Sequence, residues 1–471
     1  MVSSVLLSLP HEIFDNILAS LGKDDLRNMR LICHHISQPA TRRLFRTLRL
    51  VPVSKSIEHF NRILSEKAGL RGYVREVTIQ TFPTLDWTPP ESGYDNVYNP
   101  YYKWQAPEAW FTAISQLHSF SNLTSILLNF TNMCSSPTVL DDLGGEKDIP
   151  EGVEKRQTIL DATFHAMSSC NSLNEAKIHS LTIKNLQNFR FEIVEDLFSN
   201  ATKELREFHA YICTESNGSK RFTQYPDNQS FWPYFTEEWL TPLSAQLKSL
   251  SLYCDTQWGL FPSIDCMRDL HFSELESLSL GYRAFTYDWE LEWILEHVSL
   301  RSLRLQECGI VCIVDVDPLE TPFTYIDRTG LIDVTTDTLP GNNDILEYRT
   351  RWTDYFKSLQ LLPLLTDFYF GCLAPDNVWP NHCIGGEFDD RVKLGQNLHT
   401  KRFFAFQNGW VEPMWIKDMD EGRNMWDDCF ITAEEEGEMQ LPQPLQDEEY
   451  LVEEKEVFKQ LCAIVAARRK H

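Results

Sequence analysis

A short template, apolar-x-x-apolar-x-apolar, returns eight times along this chain, and no other sequence feature narrows the fold as much. It reads Val74-Val77-Ile79, Leu123-Ile126-Leu128, Ile178-Leu181-Ile183, Leu205-Phe208-Ala210, Leu247-Leu250-Leu252, Leu275-Leu278-Leu280, Leu300-Leu303-Leu305 and Leu365-Phe368-Phe370. Successive starts are separated by 49, 55, 27, 42, 28, 25 and 65 residues, so three intervals have the length of one repeat and the others carry insertions. Helical spacing precedes most copies, at 109–120, 158–167, 237–243, 289–297 and 352–362. Alternating helix and strand predicts an α/β fold in which short parallel strands stack on one another and helices cover their outer side.

The chain has 471 residues and a formal net charge of −25, which argues against a nucleic-acid binder acting through bulk positive charge. At 42% hydrophobic and 24% charged residues it can bury enough surface to offset chain entropy. Twelve cysteines are scattered without a CxxC pair, the pattern of free thiols in a reducing compartment. The start of the chain lacks a basic leader, and no uncharged apolar run approaches the roughly 18 to 20 residues that span a bilayer. The expected location is cytoplasmic, nuclear or both, with neither a membrane nor a nucleic-acid partner.

Residues 1–50 differ in charge from the remainder of the chain: seven Lys/Arg against four Asp/Glu give them +3, leaving −28 for residues 51–471. Leu9, Ile13, Phe14, Ile17, Leu18 and Leu21 recur at helical spacing, with Pro10 and Glu12 suited to a first turn and Gly22 to a C-terminal cap. A second helix is expected from Asp24 or Asp25, carrying Leu26, Met29, Ile32, Cys33 and Ile36 and stopping before Pro39, and a third from Thr41 to Leu48. Three short helices cannot close a substantial core alone, so part of this apolar surface must face something else.

The run Leu9-Pro10-His11-Glu12-Ile13-Phe14-x-x-Ile17-Leu18-x-x-Leu21, then Asp25-Leu26-x-x-Met29-Arg30-x-Ile32-Cys33, resembles the F-box motif, and Arg42-Arg43-Leu44-Phe45-Arg46-Thr47-Leu48 resembles its continuation in fungal F-box proteins. His34 and Ile36 depart from the common pattern, where a basic and a large residue are usual. The resemblance implies docking on the Skp-type adaptor of a cullin-RING ubiquitin ligase, with Leu9, Pro10, Ile13, Ile17, Leu18, Leu21, Leu26, Met29, Ile32 and Cys33 forming the adaptor-facing or helix-packing surface. The template segments resemble leucine-rich repeats. Leu300-x-x-Leu303-x-Leu305-x-x-Cys308 fits the full pattern, and Leu205-x-x-Phe208-x-Ala210-x-x-Cys213 keeps its Cys, so both thiols are structural candidates by that resemblance. The implied architecture is an α/β chain: a three-helix F-box over 1–50, an irregular leucine-rich-repeat-like solenoid over 51–410 that binds substrate, and an acidic segment with a terminal helix over 411–471.

Two aromatic insertions are candidate substrate contacts, because exposed aromatics make binding anchors. The segment 84–105 carries Trp87, Tyr94, Tyr98, Tyr101, Tyr102 and Trp104, and 225–239 carries Phe231, Trp232, Tyr234 and Phe235. The segments 135–156 and 318–343 read as loops. Residues 418–456 hold fifteen Asp/Glu and two Lys/Arg, a solvated flank or an attractor of basic substrates, and helical spacing returns from Glu448.

No phosphate-binding glycine loop is present, and His34-His35, His382-Cys383 and Cys308-x-x-x-Cys312 lack a second pair at metal-site spacing. No catalytic residue, metal or cofactor is assigned. The expected function is therefore a non-catalytic substrate receptor of a Skp–cullin–F-box ligase that holds an unknown protein substrate. A scaffold that binds the adaptor without ubiquitin transfer, and a hydrolase or transferase with an unrecognised site, are the competing readings.

Overall fold

Within each compact unit the template positions of neighbouring parallel strands stand opposite one another. In this computed structural model the described residues are 10–65, 69–83, 105–132, 134, 151–214, 216–217, 220–221, 226–316, 326–334, 344–371, 398, 402–408, 414–417 and 448–470. The chain divides into two compact units, the first comprising Met1–Thr131, Glu154–Ile183 and Glu192–Leu205, the second Asn132–Val153, Lys184–Phe191 and Arg206–His471.

The first unit runs α1 (His11–Ala19), α2 (Lys23–Met29), α3 (His34–Leu44), β1 (Thr47–Leu50), α4 (Ser54–Ser65), β2 (Glu76–Gln80), α5 (Glu108–Ser115), β3 (Ser125–Asn129) and α6 (Val153–Leu173). The strand β4 (Ser180–Gln187) belongs to the first unit over its first four residues, and α7 (Glu195–Thr202) completes that unit. Strands β1, β2 and β3 pair in parallel with Leu48 opposite Val77 and Val77 opposite Ile126. Leu50, Ile79 and Leu128 align in the same way. All six are buried, each contributing about 1.5–3 kcal/mol of transfer free energy.

A hydrogen-bond device repeats with them. The Arg46 carbonyl accepts the Arg75 and Glu76 N–H groups at 2.8 and 3.1 Å, and the Arg75 carbonyl accepts those of Thr124 and Ser125 at 2.9 and 3.0 Å. One acceptor thus fixes where the next strand enters the ladder.

Three expectations for the N-terminal helices need correction. Gly22 does not close α1: it is extended (φ −68°, ψ 165°) and precedes α2, while Ser20 ends α1 by donating from Oγ to the Ile17 carbonyl at 2.8 Å. The second helix stops at Met29, the chain turns, and Cys33 is extended before α3 begins. Pro39 lies inside α3, where its ring nitrogen cannot donate to the helix ladder; burial of Ile36 and Ala40 on the same helix offsets that loss. Finally, Thr47–Leu50 is strand, because Leu48 and Leu50 meet Val77 and Ile79 at period two, making a further copy of the template.

The second unit continues with β5 (Glu207–Cys213), α8 (Pro226–Phe235), β6 (Ser249–Trp258), β7 (Ser277–Phe285), α9 (Asp288–Glu296), β8 (Ser302–Gln306), β9 (Gly309–Val316), β10 (Ile332–Asp333), β11 (Asp344–Glu347), α10 (Trp352–Leu359), β12 (Asp367–Gly371), β13 (Phe403–Asn408), β14 (Met414–Lys417) and α11 (Glu448–Arg468). Strands β5, β6, β7, β8 and β12 form a parallel series in which Phe208, Leu250, Leu278, Leu303 and Phe368 occupy one row. Ala210, Leu252, Leu280, Leu305 and Phe370 form the next. The shared-carbonyl device recurs: Arg206 O accepts Lys248 and Ser249, Lys248 O accepts Glu276 and Ser277, Glu276 O accepts Arg301 and Ser302, and Arg301 O accepts Thr366 and Asp367.

The periodicity reaches the backbone dihedrals. Asn185, Tyr282 and Glu307 have φ of 57°, 59° and 52°, and each stands two residues after the last apolar position of its template. The left-handed conformation there costs a non-glycine residue about 1–2 kcal/mol; Asn185 and Tyr282 adopt it within β4 and the strand Ser277–Phe285, and Glu307 directly after the strand Ser302–Gln306.

Apart from this series stands a mixed arrangement in which β9 pairs antiparallel with β11 and parallel with β13, and β13 pairs antiparallel with β14. Val311, Val314, Phe404 and Phe406 pack there with Leu260, Phe261 and Ile326. Ile326 and β10 therefore give structure to part of the segment read as a loop over 318–343. The terminal helix expected from Glu448 is present as α11, and Phe458 lies against Phe356, Phe368 and Phe370 at ring distances of 5.1, 6.3 and 6.1 Å.

Candidate docking surface on the N-terminal helices

The helices α1–α3 enclose a core of five buried side chains, Phe14, Leu18, Leu26, Ile36 and Ala40, with Leu21, Met29, Cys33 and Leu44 packed partly buried against it. Two acidic residues, Asp24 and Asp25, occupy the first turn of α2, where they meet the positive end of the helix dipole. The expected surface divides accordingly. Leu18 and Leu26 are interior and hold the helices together; Ile17, Leu21, Met29 and Cys33 are half-buried; Pro10, Ile13 and Ile32 face outward. Leu9 lies outside the described residues.

Ile13 is 48% exposed, Leu31 84% and Ile32 62%, so three of the eleven exposed large hydrophobics among the described residues fall within this short stretch. Leu31 is an addition to the expected set. A continuous helix over 24–36 would set it off the apolar face, whereas the turn after Met29 places it and Ile32 side by side in sequence at the exposed α2–α3 junction. Covering an exposed Ile or Leu is worth about 1.5–3 kcal/mol, so a partner that buries these side chains would gain what the five-residue core lacks.

The aromatic candidates are placed differently. Trp87, Tyr94, Tyr98, Tyr101, Tyr102 and Trp104 lie outside the described residues. Phe231, Trp232 and Tyr234 are buried, which corrects their reading as exposed anchors on a loop: they sit on α8. Phe231 stacks on Phe235 at 5.2 Å, Phe235 contacts the template residue Phe208 at 6.2 Å, Trp232 stacks on Trp258, and the Tyr234 hydroxyl donates to the Phe191 carbonyl. Likewise Arg156, read as the end of a loop, is buried in α6 and donates from a guanidinium nitrogen to the Thr131 carbonyl at 2.9 Å.

The template thiols are interior. Cys308 donates to the Leu280 carbonyl at 3.4 Å, and Cys213 to the Asn132 carbonyl at 3.1 Å. Burial pushes the Cys308 thiol up to about 12, and Cys254 likewise, away from the thiolate form that reacts. Burial lowers His297 to about 4; its Nδ1 bonds the Trp293 carbonyl at 2.7 Å and its Nε2 accepts the Phe272 N–H at 3.1 Å, as the neutral ring requires. Burial also lowers His209 to about 4, beside the Ser251 hydroxyl at 2.7 Å. Among the described residues no group of three His, Cys, Asp or Glu side chains is gathered for a metal ion, and no helix is long and apolar enough to cross a membrane.

No protein-family model matches this chain, and no curated protein is significantly similar to it.

Proposed function

We propose that the chain is the substrate-recognition subunit of a Skp–cullin–F-box ubiquitin ligase, docking on a Skp-type adaptor through α1–α3. The observation that carries this reading is the exposure of Ile13 and Ile32, two aliphatic positions of the docking motif, on helices whose own core is only five residues. The registered parallel strands with helical connections support a leucine-rich-repeat-like receptor for a protein substrate. In this role the protein performs no bond chemistry. It raises the effective concentration of substrate lysines near a conjugating enzyme held elsewhere in the complex.

The test is capture of the full chain by purified Skp-type adaptor, comparing wild type with Ile13→Asp/Ile32→Asp. Both side chains face outward, so the variant should melt as wild type does while losing the adaptor. Equal capture of wild type and variant, or no capture of folded wild type, would overturn the assignment. Ubiquitin transfer to a captured partner in the reconstituted ligase distinguishes a receptor from a scaffold that only binds the adaptor.

A further inference from the structure

The first unit contains an open cavity of about 650 Å³ that the adaptor reading does not use. Lys23, Arg27 and Arg30 reach it from α2 and the residue after it, Arg49 from β1, and Lys55 and His59 from α4. No carboxylate is among the described residues that line it. The compensation of its five Lys and Arg cations is slight: Arg27 pairs with Asp24 at 2.5 Å in an exposed ion pair, and Arg49 donates from Nε to the neutral Gln80 amide oxygen at 2.7 Å.

Arg30 is the most telling of the five. Its guanidinium lies over the Phe45 ring at 5.4 Å, and its Nε is buried without a hydrogen-bond partner. An arginine donor withdrawn from water and left unused is costly unless something else accepts from it. The lining is also apolar in part, with Phe45, Leu48 and Phe60 among the residues that form it. In a chain of net charge −25, this is a local reversal of sign around a concavity of ligand size.

We propose that this cavity binds a phosphorylated small molecule with a compact apolar or aromatic body. A phosphate monoester offers three terminal oxygens and nearly two negative charges, enough to accept from several arginine and lysine donors at once. A carboxylate would leave most of the cations uncompensated. The apolar part of the lining accounts for the body of the ligand, and a free inorganic anion would leave it wetted. The site stands independently of adaptor docking.

Phenyl phosphate, which combines the two features minimally, is the probe. Titrated with the full-length chain and followed by phosphorus NMR, it should show saturable line broadening with a dissociation constant in about the millimolar range or tighter, as its size allows. Inorganic phosphate should bind more weakly, and phenol should not compete. Arg30→Gln/Lys55→Gln, checked by thermal melting, should lose at least about tenfold in affinity. Arg42→Gln/Arg43→Gln, which removes the same charge from residues that do not line this cavity, should retain it. Absence of saturable broadening, or equal loss in both variants, would overturn the proposal and leave only a general electrostatic attraction.

Discussion

The indole of Trp232 lies flat on that of Trp258, with ring centroids 4.4 Å apart and planes 10° from parallel. The Trp258 Nε1–H donates to the Gly281 carbonyl at 2.7 Å, and the Arg283 guanidinium lies 4.8 Å from the Trp258 ring. This stack joins α8 to the strands. Trp232→Ala should therefore destabilise the second unit by about 3–5 kcal/mol. Denaturant unfolding measures the loss, and a change below about 1 kcal/mol would mean that α8 is not part of the core.

Gly281 faces Tyr253 across β6 and β7, and a Cβ added there would overlap the Tyr253 ring. Gly281→Ala should cost about 1–3 kcal/mol through that clash. In a Tyr253→Ala background the same substitution should cost much less, so a double-mutant cycle isolates the contact. Additive effects would show that the two residues do not touch.

His209 and His297 stay neutral in the folded chain down to about pH 4, whereas an unfolded histidine gains its proton near 6.5. Between those values the unfolded state holds more protons, so stability is complete above pH 6.5 and is lost as pH falls toward 4. Each ring accounts for roughly 3 kcal/mol of that loss. Proton NMR titration of the folded protein should find both rings uncharged at pH 5; a midpoint near 6.5 for either would refute its burial.

Glu454 of α11 meets Arg402 through two contacts of 3.0 and 2.9 Å, both side chains buried. Glu454→Ala removes a two-contact carboxylate partner from a buried guanidinium and should cost about 3–5 kcal/mol. Replacing both partners by apolar residues, as Arg402→Met/Glu454→Leu, should recover most of that. Failure of the double variant to recover stability would indicate that the pair, rather than the helix packing, sets the position of α11.

The template makes the strands legible because a buried strand writes its period into the chain, and all eight copies place their last two apolar positions, buried, in strands. The further copy at Leu48 and Leu50 is hidden because basic residues surround it and helical spacing from Leu44 runs into it. The interior position of Trp232 is illegible for a different reason. Aromatics among Pro, Asn and Ser have one composition whether they form a loop or a helix, and partners outside the segment, Phe191, Phe208 and Trp258, make them interior. On α1–α3 the apolar positions are readable, but their division into interior and outward sets depends on the turn after Met29. The left-handed residues Asn185, Tyr282 and Glu307 leave no trace, since these side chains share no property.

From β6 onward each strand in the parallel series is positioned by one carbonyl near the start of the strand before it. Glu276 O receives Arg301 and Ser302 after a connection of ordinary length, and Arg301 O receives Thr366 and Asp367 after 65 residues of separation between template starts, through the same pair of bonds. Misalignment therefore cannot accumulate along the chain, since every copy begins its count afresh. Such a framework lets evolution lengthen or rewrite any connection while the strands on either side stay where they were. In this sequence template starts 25 and 65 residues apart are accommodated by the same pair of bonds.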